Sequence, residues 1–478
     1  MSQTFEKKGV TKKSDNMSEW YTDVITKSEM ADYSPVRGCI VYRPLSYAVW
    51  ENVQKFLDAK LKEQGCENSY FPLFIPESFL KKEASHVEGF SPELAIVTIG
   101  GGEELEEKLA IRPTSETIMY AMYSKWIQSH RDLPLKLNQW NNVVRWEKRT
   151  YFFLRGAEFL WQEAHTAHAT HAEAWAQVVD GMNAYAQTYE EVLAIPGIKG
   201  MKSQSEKFAG ADNTTTYEMI MPDGKALQGC TSHDLGQNFS KAFDIQFQNK
   251  EGQNEYAWQT SFGYSTRALG ALVMVHGDDQ GLVLPPKAAP TQVVIIPIGQ
   301  DGEVFKAAEN LKLELENNGV RVKLDTRSEY SLGFKRNDYE LKGVPLRLEL
   351  GAKELENGMV SISIRHNAEK TQYALVEAPE KITLLLEKIQ KEMFDRAVRM
   401  QEDLTSEAMD YKDFKQIMKT KRGFIYAFWC EDQECEATIK EETKATTRCL
   451  PFDAQEEDGT CIRCGKPAKH QWIFAQAY

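Results

Sequence analysis

No apolar run in this chain approaches the roughly 18 residues that a membrane-spanning helix needs, so no span is expected. The opening MSQTFEKKGVTKKSDN is polar and lacks the apolar centre of a secretory signal. Cysteine is scarce, eight among 478 residues, and the eight are either scattered or gathered in one metal-like cluster. That distribution argues against a disulfide scaffold and points to a reducing, cytoplasmic setting. Positive charge is also short: 57 Lys and Arg against 70 Asp and Glu leave a net charge of −13. Bulk charge therefore does not advertise nucleic-acid binding, although a local basic face stays open. The length itself excludes one ordinary domain, and two to four are expected.

What is present is organised around Val143–His168, VVRWEKRTYFFLRGAEFLWQEAHTAH. Arg145 and Glu147 flank Trp146, a basic aromatic segment follows, and Arg155, Phe159 and Glu163 lie on an alternating, strand-like run. Strand, loop and strand with an arginine at each end of the loop suits a polyphosphate, because the guanidinium fork binds phosphate oxygens in pairs and keeps its charge. Phe159 offers a face to a base, and Glu147 or Glu163 offers acceptors to amines. A hairpin carrying ordinary surface ion pairs is the alternative.

Before this stretch, residues 44–64 place Leu45, Val49, Val53, Phe56, Leu57 and Leu61 on one helical stripe between Pro44 and Gly65. SYFPLFIP then reads as an edge strand containing Pro72, open to cover by a partner subunit. Gly100-Gly101-Gly102 is followed by acidic residues, which would repel phosphate, so it reads as a hairpin turn. RPTSET (112–117) begins a helix with Thr114 or Ser115 as cap and Glu116 in its first turn; capping alone would explain these residues. After it, His165, His168 and His171 are spaced three apart, which drifts around a helix, so hydrogen-bonding roles are favoured over a zinc site. A long amphipathic helix, KFAG (207–210), a TTTYEMIM strand and LQGCTSHDLG follow. Gln228, Thr231 and His233 alternate there and point into one pocket. Arg267 opens an apolar helical run, as a capped surface charge or a buried anion ligand.

LPPKAAP, ending at Pro290, reads as a linker. Beyond it strands alternate with helices, which predicts a mixed-sheet α/β domain of about 110 residues, and from about 378 to Thr420 helices predominate. The last segment carries Cys430-x4-Cys435 and Cys461-x2-Cys464, two thiolate pairs spaced for a tetrahedral four-cysteine zinc site, with Cys449 and His470 as substitutes.

Together these motifs resemble a class II aminoacyl-tRNA synthetase, specifically the prolyl-tRNA synthetase family of archaeal/eukaryotic-like type, over about residues 20–478. Residues 44–72 resemble the dimer-forming motif 1. Arg145-Trp146-Glu147 with Arg155, Phe159 and Glu163 resembles motif 2, and Gly263 to Arg267 resembles motif 3. RPTSET, WQEAHTAH, KFAG and QGCTSH look like the prolyl family's own pocket. The resemblance implies an α/β and α+β multidomain protein. It would have an antiparallel-sheet catalytic core (1–286), a mixed α/β anticodon-binding domain (287–400) and a small zinc-binding α+β domain (401–478). It implies ATP-dependent activation of L-proline and transfer to tRNA(Pro) by a cytoplasmic homodimer, with structural Zn2+, Mg2+ accompanying ATP, and no inserted editing domain. Arg145, Arg155 and Arg267 are the implied catalytic residues. Thr114, Glu116, Arg145, Trp161, His165, Phe208 and His233 would line the proline site. Arg145, Glu147, Arg155, Gly156, Phe159, Gln228, Thr231, Ser265 and Arg267 would surround ATP, with adenine between Phe159 and Arg267. Gln228 and Glu163 are candidates for magnesium contacts. Glu340, Arg347 and Lys353 match anticodon-reading positions, and the carboxylate of Tyr478 would approach the catalytic domain.

Overall fold

The computed structural model describes residues 9–86, 94–147, 149–299 and 301–478. Helix α1 (Met17–Lys27) is capped by the Asn16 side chain and buries Trp20, Tyr21, Val24 and Ile25. Helix α2 (Pro44–Glu63) follows its apolar stripe: Val49, Val53, Leu57 and Leu61 are buried together with Trp50, and Leu45 and Phe56 pack at the margin. Gly65 ends it at φ 81°, a conformation that strains any residue with a Cβ.

The segment after α2 departs from the expected single edge strand. Glu67–Asn68 (β1) pairs at the edge of the core sheet, the chain leaves over residues 69–73, and Phe74–Pro76 pairs instead with Glu103–Ile111. Pro72 falls between the two pieces because it has no N–H for a ladder. Arg112 braces the crossing by donating to the Phe71 carbonyl at 2.7 Å. Gly101 and Gly102, both at positive φ, close the hairpin of 96–100 with 103–111 as expected.

The N-terminal half is built on β1, β2 (Leu135–Val144), β3 (Glu158–His168), β4 (Ile198–Met201), β5 (Asn213–Ile220), β6 (Ala226–Gly236) and β7 (Trp258–Ser265). Their order is β4-β5-β6-β7-β3-β2-β1, antiparallel throughout except at β1. Helices α3 (Glu116–Trp126), α4 (His171–Gln187) and α5 (Arg267–His276) flank it. The α4 N-terminus is held by a Thr170/Glu173 capping box. Everything between β3 and β7 belongs to this core apart from one short hairpin (246–248 with 254–256), so the span holds no separate folded unit.

The linker is pinned rather than loose. Arg321 donates to the carbonyls of Ala289 (2.9 Å) and Pro286 (2.7 Å), and Ala288 and Ala289 are buried. Beyond it β8 (Val293–Pro297), β9 (Val322–Leu324), β10 (Leu346–Leu350), β11 (Met359–Ile364) and β12 (Lys370–Ala374) form a mixed sheet in the order β9-β8-β10-β11-β12. Helices α6 (Gly302–Asn317), α7 (Leu332–Leu341), the short α8 (Ala352–Glu356) and the long α9 (Ala378–Asp403) complete the domain. The half-exposed edge strand β12 has a polar sequence that carries no strand signal of its own.

The C-terminal segment adds β13 (Thr405–Glu407), α10 (Tyr411–Thr420), β14 (Phe424–Trp429), α11 (Gln433–Thr443), β15 (Thr446–Pro451) and β16 (His470–Ala475). The short strand β13 interrupts the expected helical run. Its sheet does not stand alone: β15 pairs with β4 through Leu450–Met201 and Pro451–Gly200, which makes one eleven-stranded sheet from β13 to β1. No described helix is long and apolar enough to cross a membrane.

Candidate active site

The site lies on the face of the N-terminal sheet where β3, β7 and β6 run side by side. Phe159, Trp161, Glu163 and His165 share one face of β3 by alternation. Register places His165 opposite Ser261 and Ser261 opposite His233, and in the next row Glu163 opposite Gly263 and Gly263 opposite Thr231. Gly263 leaves room for Trp161: an added Cβ would come within 3.3 Å of the indole. On β6, Gln228 sits three residues before Thr231 and would face away in a regular strand. A bulge at Gly229, opposite the Tyr217–Glu218 step, removes that mismatch and leaves Gln228, Thr231 and His233 all half-buried toward the cleft.

Glu163 is the hub of the floor. It is 2 % exposed, and its two oxygens accept from the Ser115 N–H (3.0 Å) and hydroxyl, Gln139 Nε2 (2.9 Å), Asn141 Nδ2 (2.6 Å) and His165 Nε2 (3.1 Å). Burial pushes its pKa up, and the donors from His165, Ser115 and Asn141 outweigh it, holding the carboxyl down at about 2. Glu163 also presents a ligand atom within 4.8 Å of ones from Glu116 and His165, a group that could hold a metal ion. The structure does correct the capping role of Ser115. Ser115 does stand at the N-cap of α3, but its hydroxyl goes to Glu163 and makes no cap bond.

The other expected proline-site residues gather around this hub. Thr114 donates to Glu116, and both are buried at the start of α3. His165 also meets the Tyr120 hydroxyl (3.3 Å). His233 bonds the hydroxyls of Thr214 and Thr231, each at 3.0 Å, and its ring lies 4.5 Å from that of Phe208. Burial, then the charges of His165 and Arg145, push the His233 pKa down to about 3, so the ring is neutral near pH 7. Trp161 Nε1 and Ser261 Oγ are buried here without a protein partner among the described residues. Ser261, Gln139 and Asn141 escaped the sequence reading; the i, i+2 spacing of Ser261 with Gly263 and Ser265 was the signal available for the first.

Above the floor the three arginines line the cleft. Arg145 donates from Nε to the Pro113 carbonyl (3.0 Å) and its guanidinium lies 5.3 Å from the Trp161 ring and 5.6 Å from the Phe159 ring. Arg267, at the start of α5, donates to the carbonyls of Leu154 (3.3 Å) and Gln228 (3.1 Å). Arg155 sits exposed on the loop between β2 and β3, where it pairs with Tyr151 through two backbone bonds. Gly156 permits close packing, since a Cβ there would meet the Glu158 carbonyl at 3.0 Å. Glu147 is exposed beside Arg145, and Ser265 accepts from the Arg267 N–H. Three cationic forks over a polar pocket can hold a triphosphate against a small zwitterion.

Two further clusters lie apart from the cleft. The sulfurs of Cys430, Cys435, Cys461 and Cys464 all lie within 4.8 Å of one another, with 3.5 Å between Cys430 and Cys464 and 3.7 Å between Cys435 and Cys461. A tetrahedron with metal–sulfur bonds of about 2.3 Å has edges of about 3.8 Å, so this group of four thiols can hold a metal ion. Cys449 is instead buried in β15, and His470 bonds Glu431. Glu340 and Arg347 line a cavity of about 420 Å³ with Asp278 and Arg365. Arg347 is braced by Glu349 (3.1 Å) and Ser363 (3.3 Å), whereas Lys353 is exposed on α8 and does not line this cavity. Tyr478 docks on the catalytic core, donating from its N–H to Ala226 (3.2 Å) and from its hydroxyl to Asp223 (2.8 Å).

The antiparallel sheet with its arginine-lined cleft defines a class II aminoacyl-tRNA synthetase core, and residues 97–276 match the family described as tRNA synthetase class II core domain (G, H, P, S and T). Residues 292–385 match the anticodon binding domain, and 411–478 match the prolyl-tRNA synthetase C-terminal family. The chain is 52 % identical over 472 residues to a proline--tRNA ligase of Acetoanaerobium sticklandii, covering 98 % of each chain. It is 52 % identical over 479 residues to that of Chlorobaculum tepidum, covering 98 % of this chain and 99 % of the relative. Among solved structures, the prolyl-tRNA synthetase of Cryptosporidium parvum, complexed with halofuginone and AMPPNP, superposes with a TM-score of 0.94 at 44 % identity, over 98 % of this chain and 100 % of that one. The chain belongs to the prolyl-tRNA synthetase family.

Proposed function

We propose that this chain activates L-proline with ATP to prolyl-adenylate and then transfers the prolyl group to the 3′ end of tRNA(Pro). The observation that carries the reading is the convergence of Glu116, Trp161, His165, Phe208 and His233 on one pocket beneath Arg145. Proline's ring meets the Trp161 and Phe208 faces, its ammonium meets Glu116, and its carboxylate meets Arg145. The carboxylate attacks the α-phosphate in line and pyrophosphate leaves. No protein nucleophile takes part, so catalysis is positioning and neutralisation of charge by Arg145, Arg155 and Arg267. Glu147, Gly156, Phe159, Gln228, Thr231 and Ser265 surround the nucleotide, with adenine between Phe159 and Arg267. Magnesium accompanying ATP would supply further charge neutralisation, with Gln228 and Glu163 as the candidate protein contacts.

Residues 1–286 serve catalysis, 287–400 read the anticodon and 401–478 hold a structural zinc ion on Cys430, Cys435, Cys461 and Cys464. Glu340 and Arg347 offer a carboxylate and a guanidinium to guanine edges, and Lys353 approaches the same stem-loop from α8. We read the active form as a cytoplasmic homodimer joined through α2 and the β1 edge. The exposed Tyr47, Tyr70 and Phe74 near that edge support a covered face, and the scattered cysteines outside the four-cysteine cluster support a reducing compartment.

Amino-acid-dependent ATP–pyrophosphate exchange, run with each of the twenty amino acids, tests the reading. Exchange should be strongest with proline. Exchange led by threonine, serine or glycine would assign a sister enzyme, and no exchange at all would assign an inactive relative that only binds tRNA.

A further inference from the structure

Helix α11 is capped by Asp432, whose side chain accepts from the Cys435 N–H at 3.1 Å. Its first turn carries Cys435, in the sulfur cluster, and next to it Glu436, which turns into the seam with the catalytic core and is 5 % exposed. The Glu436 carboxylate accepts from Ser203 Oγ at 3.0 and 3.3 Å, from Ser205 Oγ and from Thr447 Oγ1. A buried carboxylate is costly unless its lone pairs are filled, and here hydroxyls fill them. Two of the three donors belong to the catalytic half, on the loop between β4 and β5.

That loop runs directly from Ser205 to Phe208. Its far side is fastened to the pocket: Lys202 N–H donates to the Thr214 carbonyl (2.8 Å), and Phe208 N–H donates to Thr214 Oγ1 (2.9 Å). The same Thr214 hydroxyl bonds His233 (3.0 Å), against which the Phe208 ring lies. The near side, Ser203 and Ser205, is held by α11 and by Thr447 of β15. An outer ion pair between Lys440 and Glu206 (3.3 Å) spans the same seam but is exposed, and such pairs contribute little.

We propose that Glu436 is a positioning residue for amino-acid binding: through Ser203 and Ser205 it holds the 202–210 loop so that Phe208 lies against His233. The C-terminal domain thereby sets affinity for the amino acid without touching it. The inference rests on the proposed place of Phe208 in the proline pocket, and it extends that pocket's support across the domain seam. Binding sites lose affinity when the groups supporting a contact residue loosen, even though the contact residue remains.

The test uses the full-length protein and exchange kinetics with proline and ATP varied separately. Glu436→Ala should raise the KM for proline about tenfold while the KM for ATP stays within about twofold. Glu436→Gln keeps an acceptor oxygen and should recover most of the loss. Ser205→Ala, which removes one donor and leaves α11 intact, should raise the proline KM about threefold alone and no further in the Glu436→Ala background. Lys440→Ala should leave both constants unchanged, and bound metal per chain should match the wild type in every variant. An unchanged proline KM in Glu436→Ala, additive effects of the two substitutions, parallel rises for ATP and proline, or loss of metal would each overturn the proposal. Phe208→Ala separates the two layers of the argument. If it leaves the proline KM unchanged, the pocket assignment fails; if it raises that KM while Glu436→Ala does not, the positioning role alone fails.

Discussion

Five donors converge on Glu163 and tie its carboxylate to Ser115 at the head of α3 and to His165 on β3. In the proposed mechanism phosphate and carboxylate charge falls to the arginines. Arg145 is the one that bridges the two substrates in the proposed mechanism, while its side chain is tied to the fold through the Pro113 carbonyl. Arg145→Ala should therefore cut exchange activity by well over about tenfold, the loss of several kcal/mol of transition-state stabilisation, with the thermal midpoint nearly unchanged. Activity within that range of the wild type would remove Arg145 from its role. The same burial makes the protein acid-sensitive. His276, 2 % exposed at the end of α5, and His233 are both held by burial at about 3 against an ordinary value of 6.5. The unfolded rings take up protons first, so stability falls as pH drops from 6.5 toward 3. Glu163 adds to this in a lower window: its contribution is complete above 4.5 and is lost as pH falls toward 2. Thermal midpoints measured from about pH 7 to about pH 4 should decline steadily, and His276→Gln should flatten the slope; a level midpoint would show that these rings are solvated.

Among the elements, the junction of β4 with β15 leaves little room for change. A Cβ at Gly200 would meet the Leu450 carbonyl oxygen at 2.4 Å and the Cys449 side chain at 2.7 Å. Backbone cannot give way as a flexible side chain can, so Gly200→Ala should destabilise by about 1–3 kcal/mol. It should also open the seam between the two halves of the sheet, read as faster proteolysis at residues 445–455 with β6 and β7 still protected. The wild-type cleavage pattern in this variant would show that the pairing is loose. The cysteine cluster makes a separate prediction. Cys461→Ser should release about one zinc per chain and destabilise the chain beyond about 425, because a structural site contributes folding energy directly. Metal analysis of the wild type that finds no zinc would sink the assignment.

Taken whole, the molecule leaves no place for a second hydrolytic site between β3 and β7, where 100 positions separate Glu163 from Gly263 and all but a short hairpin go into the core. An apolar pocket discriminates one methylene by only about 1–3 kcal/mol, so alanine and cysteine should be activated detectably. The enzyme should then fail to hydrolyse preformed Ala-tRNA(Pro). Deacylation by saturating enzyme clearly above the spontaneous rate would reveal an editing site elsewhere.

The sequence alone determined whatever depends on short spacing. Alternation in β3 put Phe159 and Glu163 on one face, the paired cysteines announced a metal-binding cluster, and the stripe of α2 with Pro44 and Gly65 marked both ends of that helix. These are local consequences of periodicity and backbone chemistry. Tertiary structure decided the rest. Ser115 looked like a cap until Glu163, 48 residues away, claimed its hydroxyl. Gln228 joined Thr231 and His233 only because a bulge at Gly229 shifted the register against β5. The C-terminal sheet became part of the catalytic sheet through Leu450 and Met201, with Glu436 reaching Ser203 across 233 positions. Such pairings are selected by shape and by the need to satisfy buried polar groups, and neither quantity is carried by any short stretch of the chain.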